Sequence, residues 1–524
     1  MDTHSLQRRT VAHLPTALVA VFAGSGAVAG SFAVAGRTQG WVVAPVTAVL
    51  ARQTPDVVVR YAITVLGSLG QQLALLGAVA TVVGAVAALT ATGVHLGRRL
   101  NNRALPVVAA GVGSWVLAAL LTHNLVLAFG AGLPAAGVVL IATAAGRLDV
   151  GGGLSPARRR VLGSGVTAMA LGVVGAVVGS RRTPDRQSLG GAPNGTDAET
   201  TDGSDGEPTR RERYLAAARE QSLGVEGLEP LVSGRFYQVD INAVNPAVEA
   251  SSWTLSVTGA VEEEVTMDYE DLRGRPWLDR FETLRCVGEG LNGHKMDTAL
   301  WTGVPIRSLV AAAGPESGCE CVMLRAADGY FEEFPMAALE GGLVAYGMNG
   351  RALPRAHGYP ARALIPGHWG EINVKWLTEI EVLDRAATGY WEQRGWHGTG
   401  PVTTVAKIHA VNNLPDGRQE LGGHAYAGTR GVRTVEVSTD GGATWERADL
   451  SAPLADVTGH GGYGPADVAP VDDTWRQWRH TYDPPDGAHE VVARAIDGTG
   501  QLQPREESGP FPNGPSGWVT RTVE

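Results

Sequence analysis

Two hydrophobic regimes divide the chain. Up to residue 182 apolar side chains run in long blocks. Five of these, roughly 14–36, 73–96, 105–121, 125–145 and 161–179, approach the about 20 residues that carry a helix across a bilayer core. The third and fourth are separated only by the uncharged turn Thr122-His123-Asn124. Beyond residue 210 the pattern shortens. A helical stretch near 209–222 is followed by alternating runs such as SWTLSVTGAV (252–261), interleaved with helical pieces such as GVPIRSLVAAAG (303–314). That mixture predicts an α+β domain over 211–402. From 403 onward the helical signal fades. RTVEVSTDGGATWERADL (433–450) reads as strand, Asp-Gly-Gly turn and strand, and HEVVARAIDGTGQLQP (489–504) repeats the theme. This predicts an immunoglobulin-like β-sandwich over 403–524. Between the regimes, 183–210 holds Gly, Pro, Asp, Ser and Thr without periodicity, the composition of a disordered acidic tether.

Charge sharpens the division. Residues 1–182 carry fourteen arginines, three acids and no lysine, whereas 183–524 carry 50 acids against 29 bases. A basic apolar part joined to an acidic polar part predicts a membrane anchor of about five helices bearing a separate domain. With five spans, Arg8-Arg9, Arg98-Arg99-Arg103 and Arg147 with Arg158–Arg160 share one side. The positive-inside rule then predicts a multi-pass cell-membrane protein whose C-terminal domain is extracytoplasmic, with Arg37, Arg52, Arg60, Arg181 and Arg182 running against it. PARRRVLGSGVTAMALGVVGAVVGS (156–180) resembles a twin-arginine export signal and equally fits ordinary positive-inside flanking. Asn194-Gly195-Thr196 is a glycosylation sequon that has meaning only on the outer side. The acidic surface argues against nucleic acid as a partner. His95 and His123 fall near opposite membrane faces, which excludes one haem between them, and no haem is expected in this chain. An almost charge-free membrane part gives no sign of a transporter path.

The three cysteines include no CxxC pair, so no disulfide framework, zinc ribbon or CxxCH haem motif is expected. Cys319 and Cys321, in CECVMLRAADG, read as neighbouring core positions on one strand face, with a redox pair or metal ligation as alternatives. Cys286 lies in ETLRCVGEGLNGHKMDTALWTGVPI (282–306), a glycine-rich loop after a strand-like start. A lone cysteine is by default a small buried hydrophobe. As a nucleophile or soft metal ligand it must be a thiolate, and the surrounding glycines would let backbone approach a bulky cofactor. Downstream, HGYPAR and INVKW offer His357, Arg362 and Lys375, cations and donors suited to a phosphate.

These segments, in this order, resemble the sulfite oxidase family of molybdopterin enzymes. LRCVGEGLNGHKMDTALWTGVPIRSL (284–309) is similar to the family's molybdenum-ligand loop, and RFYQVDINAVNP (235–246) to its cofactor-wrapping segment. AYGMNGRALPRAHGYPARALIPGHWGEINVKWLTEIEV (345–382) is similar to its pterin-phosphate segment. VRTVEVSTDGGATW and ARAIDGTGQLQP resemble its C-terminal dimerisation domain. The resemblance covers about residues 230–524. It implies a single molybdenum-molybdopterin cofactor with Cys286 as the protein's bond to the metal. It also implies a phosphate site at His357, Arg362 and Lys375, with Asn373, Tyr237, Asp240 and Asp328 as further cofactor-binding positions. A homodimer and a separate electron-transfer partner are implied as well.

The chain departs from sulfite oxidase itself at three anion-binding positions. Val239 and Leu291 stand where the family has arginines, and Trp396 where it has a tyrosine. Aliphatics and an indole cannot supply the charge-assisted hydrogen bonds that hold a small dianion. The expectation is oxygen-atom transfer on an uncharged S- or N-oxide, small or protein-bound, with Cys286, Leu291 and Trp396 at the reacting centre. Sulfite oxidation with Arg285 or Arg394 compensating is the alternative. A non-catalytic exported binding protein that retains the fold is the second.

Overall fold

The computed structural model describes residues 3–147, 155–182, 209–316, 318–454, 459–461 and 472–524. The sequon and all but the last two residues of the expected tether lie outside them. The chain divides into two compact units, 1–188 with 240–247, and 189–239 with 248–524.

The first unit is helical. Its elements are α1 (Thr3–Ala35), α2 (Ala44–Gln53), α3 (Asp56–Tyr61), α4 (Ser68–Arg99), α5 (Leu105–Thr122), α6 (Phe129–Ala145) and α7 (Pro156–Arg182). Among the described residues, four helices are long and apolar enough to cross a membrane: Leu14–Ala35, Leu69–Arg99, Leu105–Thr122 and Pro156–Arg181. The segment expected at 125–145 becomes helical only at Phe129 and is 17 residues long. Asn124 caps its approach, accepting from the amides of Val126 (3.1 Å) and Leu127 (2.9 Å), so the chain spends 124–128 on a turn. α1 packs against α4, α6 and α7. Small residues permit this: a Cβ on Gly24 would stand 2.5 Å from the carbonyl oxygen of Val83 on α4. The segment 240–247 belongs to this unit. Arg37 donates to the Ala243 carbonyl at 2.8 Å, Gln39 donates to that of Val244 at 3.2 Å, and the Val244 side chain joins the unit's apolar core.

The second unit opens with α8 (Arg210–Glu220), started by a reciprocal capping box between Thr209 and Glu212. Its strands are β1 (Thr254–Gly259), β2 (Val265–Asp268), β3 (Trp277–Arg285), β4 (Met296–Pro305), β5 (Cys321–Ala326), β6 (Phe331–Pro335), β7 (Leu343–Met348), β8 (Arg351–Ala352), β9 (Arg362–Leu364) and β10 (Leu377–Leu383). They form two sheets. One has the order β2-β1-β10-β5-β6, with β1 and β10 parallel and the other pairs antiparallel. The other is built on the antiparallel series β3-β4-β7-β8, with β9 also on β7. An apolar core that includes Trp253, Leu255, Val322, Phe334, Ile365 and Ile380 draws on both.

The remaining strands are β11 (Val405–Ala406), β12 (Ala410–Asn413), β13 (Gln419–Tyr426), β14 (Val432–Ser438), β15 (Glu446–Arg447), β16 (Asp449–Leu450), β17 (Gly459–Gly461), β18 (Arg476–Tyr482), β19 (His489–Asp497) and β20 (Val519–Val523). Two antiparallel sheets result, β11-β13-β18-β16 with β12 on β13, and β15-β14-β19-β20. β17 leaves them and pairs with β3 instead, Gly459 opposite Asp279 and Gly461 opposite Trp277.

Cys319 and Cys321 differ from expectation. They are joined by a disulfide with Cα atoms 5.2 Å apart, and Glu320 between them takes φ +54°. β5 starts only at Cys321, so Cys319 lies on a bend instead of one strand position back. The bend turns the two sulfurs together, which an extended strand would not do.

Candidate functional site

β3 ends at Arg285, and the next residue is Cys286, so the strand aims the cysteine loop. The loop returns at Lys295, whose carbonyl accepts from the Cys286 amide at 2.9 Å, before β4 begins at Met296. Its centre is organised by a buried carboxylate. Glu289 takes Arg285 Nε at 3.0 Å and Lys407 Nζ at 2.5 Å on Oε1, and the Lys295 amide at 2.8 Å on Oε2. Burial costs all three ionic groups. The two cations nevertheless hold Glu289 below its usual carboxylate range, while burial outweighs Glu289 and brings Lys407 down to about 8. The Cys286 thiol is half-buried. Burial pushes it up to about 11, Lys295 pulls the other way, and Glu289 adds to the rise.

Residues 369–373 sit against this loop. Arg285 and Trp369 form an isolated parallel bridge, and the Arg285 guanidinium stacks over the Trp369 ring at 4.7 Å. Gly370 is required by the closeness: a Cβ there would meet Tyr237 Oη at 2.8 Å and the Arg285 carbonyl oxygen at 3.3 Å. The Tyr237 amide donates to Asp297 at 2.5 Å, and burial raises its phenol well above the usual value, with Cys286 adding to the rise and Arg362 opposing it. Tyr237 therefore stands in the field of both the thiol and the cationic group expected to hold phosphate.

That group is assembled. Arg362, buried on β9, donates to the carbonyls of His357 (3.3 Å) and Asn373 (3.0 Å), and its guanidinium lies over Trp301 at 5.3 Å. Lys375 donates to the carbonyls of Val239 and Ala356, each at 3.1 Å. His357 meets the Phe236 ring edge-to-face, and burial, then Arg362 and Lys375, bring its imidazole down to about 3, so it is neutral at pH 7. Asn373 is buried and structural. Its oxygen accepts from Ile365 at 2.7 Å and its amide donates to the Trp369 carbonyl at 3.0 Å, fixing the turn beside the cysteine loop.

Asp328 accepts from the Tyr330 amide at 3.0 Å and shapes the β5–β6 turn. Asp240 falls in the helical unit. Leu291 is half-buried in the cysteine loop. Trp396 is 2% exposed, between the rings of Trp391 (6.3 Å) and Phe511 (5.2 Å). Its strand of chain passes the loop closely, because a Cβ on Gly398 would stand 3.1 Å from Val287. Arg285 is fully buried and committed to Glu289 and, at 2.9 Å, to the Thr403 carbonyl, which removes it as a compensating anion ligand. Arg394 donates to the Tyr390 carbonyl at 2.6 Å and lies 3.8 Å over the Tyr390 ring.

Two family models match the chain. One, described as an oxidoreductase molybdopterin binding domain, covers residues 242–391, and the other, a Mo-co oxidoreductase dimerisation domain, covers 401–509. The two matched domains are those of the sulfite oxidase family of molybdopterin oxidoreductases. It is 27% identical over 310 residues to the mitochondrial sulfite oxidase of Macaca fascicularis, covering 49% of this chain and 54% of the relative. Sulfite oxidase of Gallus gallus is 29% identical over 311 residues, 49% of this chain and 65% of the relative. The NADPH nitrate reductase of Fusarium oxysporum is 26% identical over 325 residues, 48% of this chain and 35% of the relative. The chain thus spans between a third and two thirds of the length of these relatives. Among solved structures, the sulfane dehydrogenase SoxCD of Paracoccus pantotrophus aligns with a TM-score of 0.46 at 19% identity, covering 64% of this chain and 93% of that one.

Sequence reading singled out Cys286, Tyr237, Arg362, Lys375 and His357; of these, Arg362, Lys375 and His357 lie together, and Tyr237 feels both Arg362 and Cys286. That reading missed Glu289 as the loop's organiser. The signal available was a charged residue inside a glycine-rich loop, three residues after the cysteine. It also missed Lys407, one of three lysines, whose partner is 118 residues away.

Proposed function

We propose that the chain is a membrane-anchored, molybdopterin-dependent oxidoreductase that moves an oxygen atom to or from an uncharged S- or N-oxide-type substrate. One observation carries the reading: Cys286 and Arg362, both inside the stretch matched by the molybdopterin-binding model, act electrostatically on the same buried phenol, Tyr237. The donors fit the cofactor. A single soft sulfur suits the metal, and a buried guanidinium and an ammonium suit a terminal phosphate. When bound, molybdenum-molybdopterin supplies two-electron oxygen-atom chemistry. The chain's own residues ligate, orient and exclude water. Cys286 is the ligand. Arg362 and Lys375 take the phosphate, with neutral His357 as a hydrogen-bond partner. Asn373 fixes the turn beside them, and Leu291 and Trp396 line the approach.

The uncharged substrate is supported by the residues at the three positions where sulfite oxidase has anion-binding side chains. Val239, Leu291 and Trp396 bring no charge, and the charge of Arg285 is spent on Glu289. Sulfite oxidation is the second reading, favoured by the sulfite oxidases among the relatives. Electrons would pass to a separate partner, the dimerisation domain would pair two copies, and the apolar helices would anchor the domain outside the cytoplasm.

The first test is molybdenum per chain by elemental mass spectrometry, for wild type and Cys286→Ser made in a cofactor-competent host. Stoichiometric metal that falls sharply in the variant is expected. Folded wild type without molybdenum or pterin would sink the proposal. Substrate class is then read with dyes. Oxidation of a reduced viologen by sulfoxides supports the first reading, and sulfite-dependent dye reduction the second.

A further inference from the structure

Three carboxylates lie together outside the cofactor group. Glu332 comes from β6, Glu371 from the turn Gly370–Ile372, and Glu392 from the turn Glu392–Arg394. One oxygen of each lies within 4.8 Å of the other two. Glu332 is 0% and Glu371 7% exposed, and five of the six carboxylate oxygens are buried without a hydrogen-bond partner. The sixth, Glu332 Oε1, is fixed by the Tyr330 hydroxyl and the Trp391 amide, both donating at 2.9 Å, which leaves Oε2 facing the cluster. The Glu371 carbonyl oxygen stands at the same 2.9 Å from the Tyr330 oxygen and competes for its single hydrogen, so the hydroxyl sits between two of the three elements. Two glycines make the room. A Cβ on Gly389 would collide with Glu332 and Glu392, and one on Gly398 with Glu371.

Unpartnered buried carboxylate oxygens cost several kcal/mol unless a proton or a cation satisfies them (roughly 1–3 each, more when charged). Burial and mutual repulsion push Glu332 up to about 11 and Glu371 well above its usual range, so without a cation the cluster is held by shared protons. A cation removes both penalties. Three oxygens spanning up to 4.8 Å match the diameter of a coordination shell with metal–oxygen distances of about 2.1–2.4 Å. An all-carboxylate donor set selects hard ions over zinc or copper.

We propose that Glu332, Glu371 and Glu392 bind one hard divalent cation, Ca²⁺, Mg²⁺ or Mn²⁺, separate from the molybdenum centre. The ion braces the active domain. It links the turn at 392 to Glu371, whose neighbours 369–373 pack on the cysteine loop. The three residues share no common motif, since they are spread over 61 positions of sequence.

The test uses the full chain in detergent, treated with EDTA and returned to metal-free buffer. Ca²⁺, Mg²⁺ and Mn²⁺ are added separately, and bound cation is measured by elemental mass spectrometry after gel filtration, alongside the thermal midpoint. The expected result is a stoichiometric cation other than molybdenum and a raised Tm with at least one ion. Both should be lost in the Glu371→Gln/Glu392→Gln variant. If that variant does not fold, the wild type decides alone, through retained stoichiometry and the altered electron paramagnetic resonance spectrum of bound Mn²⁺. No retained cation and no Tm shift with any of the three would overturn the proposal. An unchanged shift in a folded double variant would also overturn it, by placing the ion elsewhere.

Discussion

Asp297 shows how single residues set the site. It accepts from the Tyr237 amide at 2.5 Å and from Ser233 Oγ at 2.8 Å, yet burial outweighs both and raises its carboxyl to about 7. An unfolded aspartate titrates near about 4. Between the two values the folded chain holds a proton that the unfolded chain has released, so this group's stabilisation is full below about pH 4 and is lost as pH rises to 7. Asp297→Asn is expected to flatten that part of the profile, read as the difference in Tm between wild type and variant at pH 5 and pH 7.5. Lys407 makes the opposite kind of contribution. Removing it as Lys407→Met leaves Glu289 buried with Arg285 as its only ionic partner. A loss of about 3–5 kcal/mol in chemical denaturation is expected, as for breaking other buried pairs. Cys286 was singled out in sequence by the resemblance of 284–309 to the family's molybdenum-ligand loop, since a lone cysteine in a glycine-rich loop reads by itself as a small buried hydrophobe. The role of Arg285 was not legible, because a guanidinium next to a candidate ligand looks like an anion ligand until its partners Glu289 and Thr403 are seen. The carboxylates at 332, 371 and 392 carry no spacing signal at all.

At the scale of elements, period and length explain what could be read. The long apolar blocks became α1, α4, α5 and α7, their length outweighing the glycines they contain and Pro15 in α1. α2 and α3 went unread because 44–61 is too short and mixed for a dominant period. β3 is the clearest concealed element. Its sequence WLDRFETLR reads as half-polar, yet eight of its nine residues are buried, with Asp279 held by Arg211 at 2.9 Å and Glu282 by Arg280. Charge pairing, across distant segments at Asp279 and within the strand at Glu282, hides burial from any pattern of apolar positions. Seating of the turn beside β3 is testable through Gly370→Ala. The added methyl would press on Tyr237 Oη and the Arg285 carbonyl, and overpacking of this kind costs about 1–3 kcal/mol. The expected outcome is a lowered Tm together with reduced retention of pterin, measured by its fluorescence after oxidative release.

At the scale of the whole molecule, the four helices among the described residues with the length and apolarity to cross a membrane predict that the chain stays with the membrane fraction through an alkaline carbonate wash. Release in that wash would count against anchoring. The C-terminal strands are more deeply committed than the order of matched segments suggests. The Thr283 amide donates to the Asp473 carbonyl at 2.8 Å, Tyr426 donates to the Thr283 carbonyl at 3.0 Å, and β17 covers the outer side of β3. A chain ended at residue 402 would therefore bare the backbone of the very strand that delivers the cysteine, an open template for pairing between copies. Such a truncation should sediment as aggregate on ultracentrifugation. An evolutionary shuffle or an engineered fusion cut at that seam would inherit the cysteine and lose the means of keeping its strand to itself.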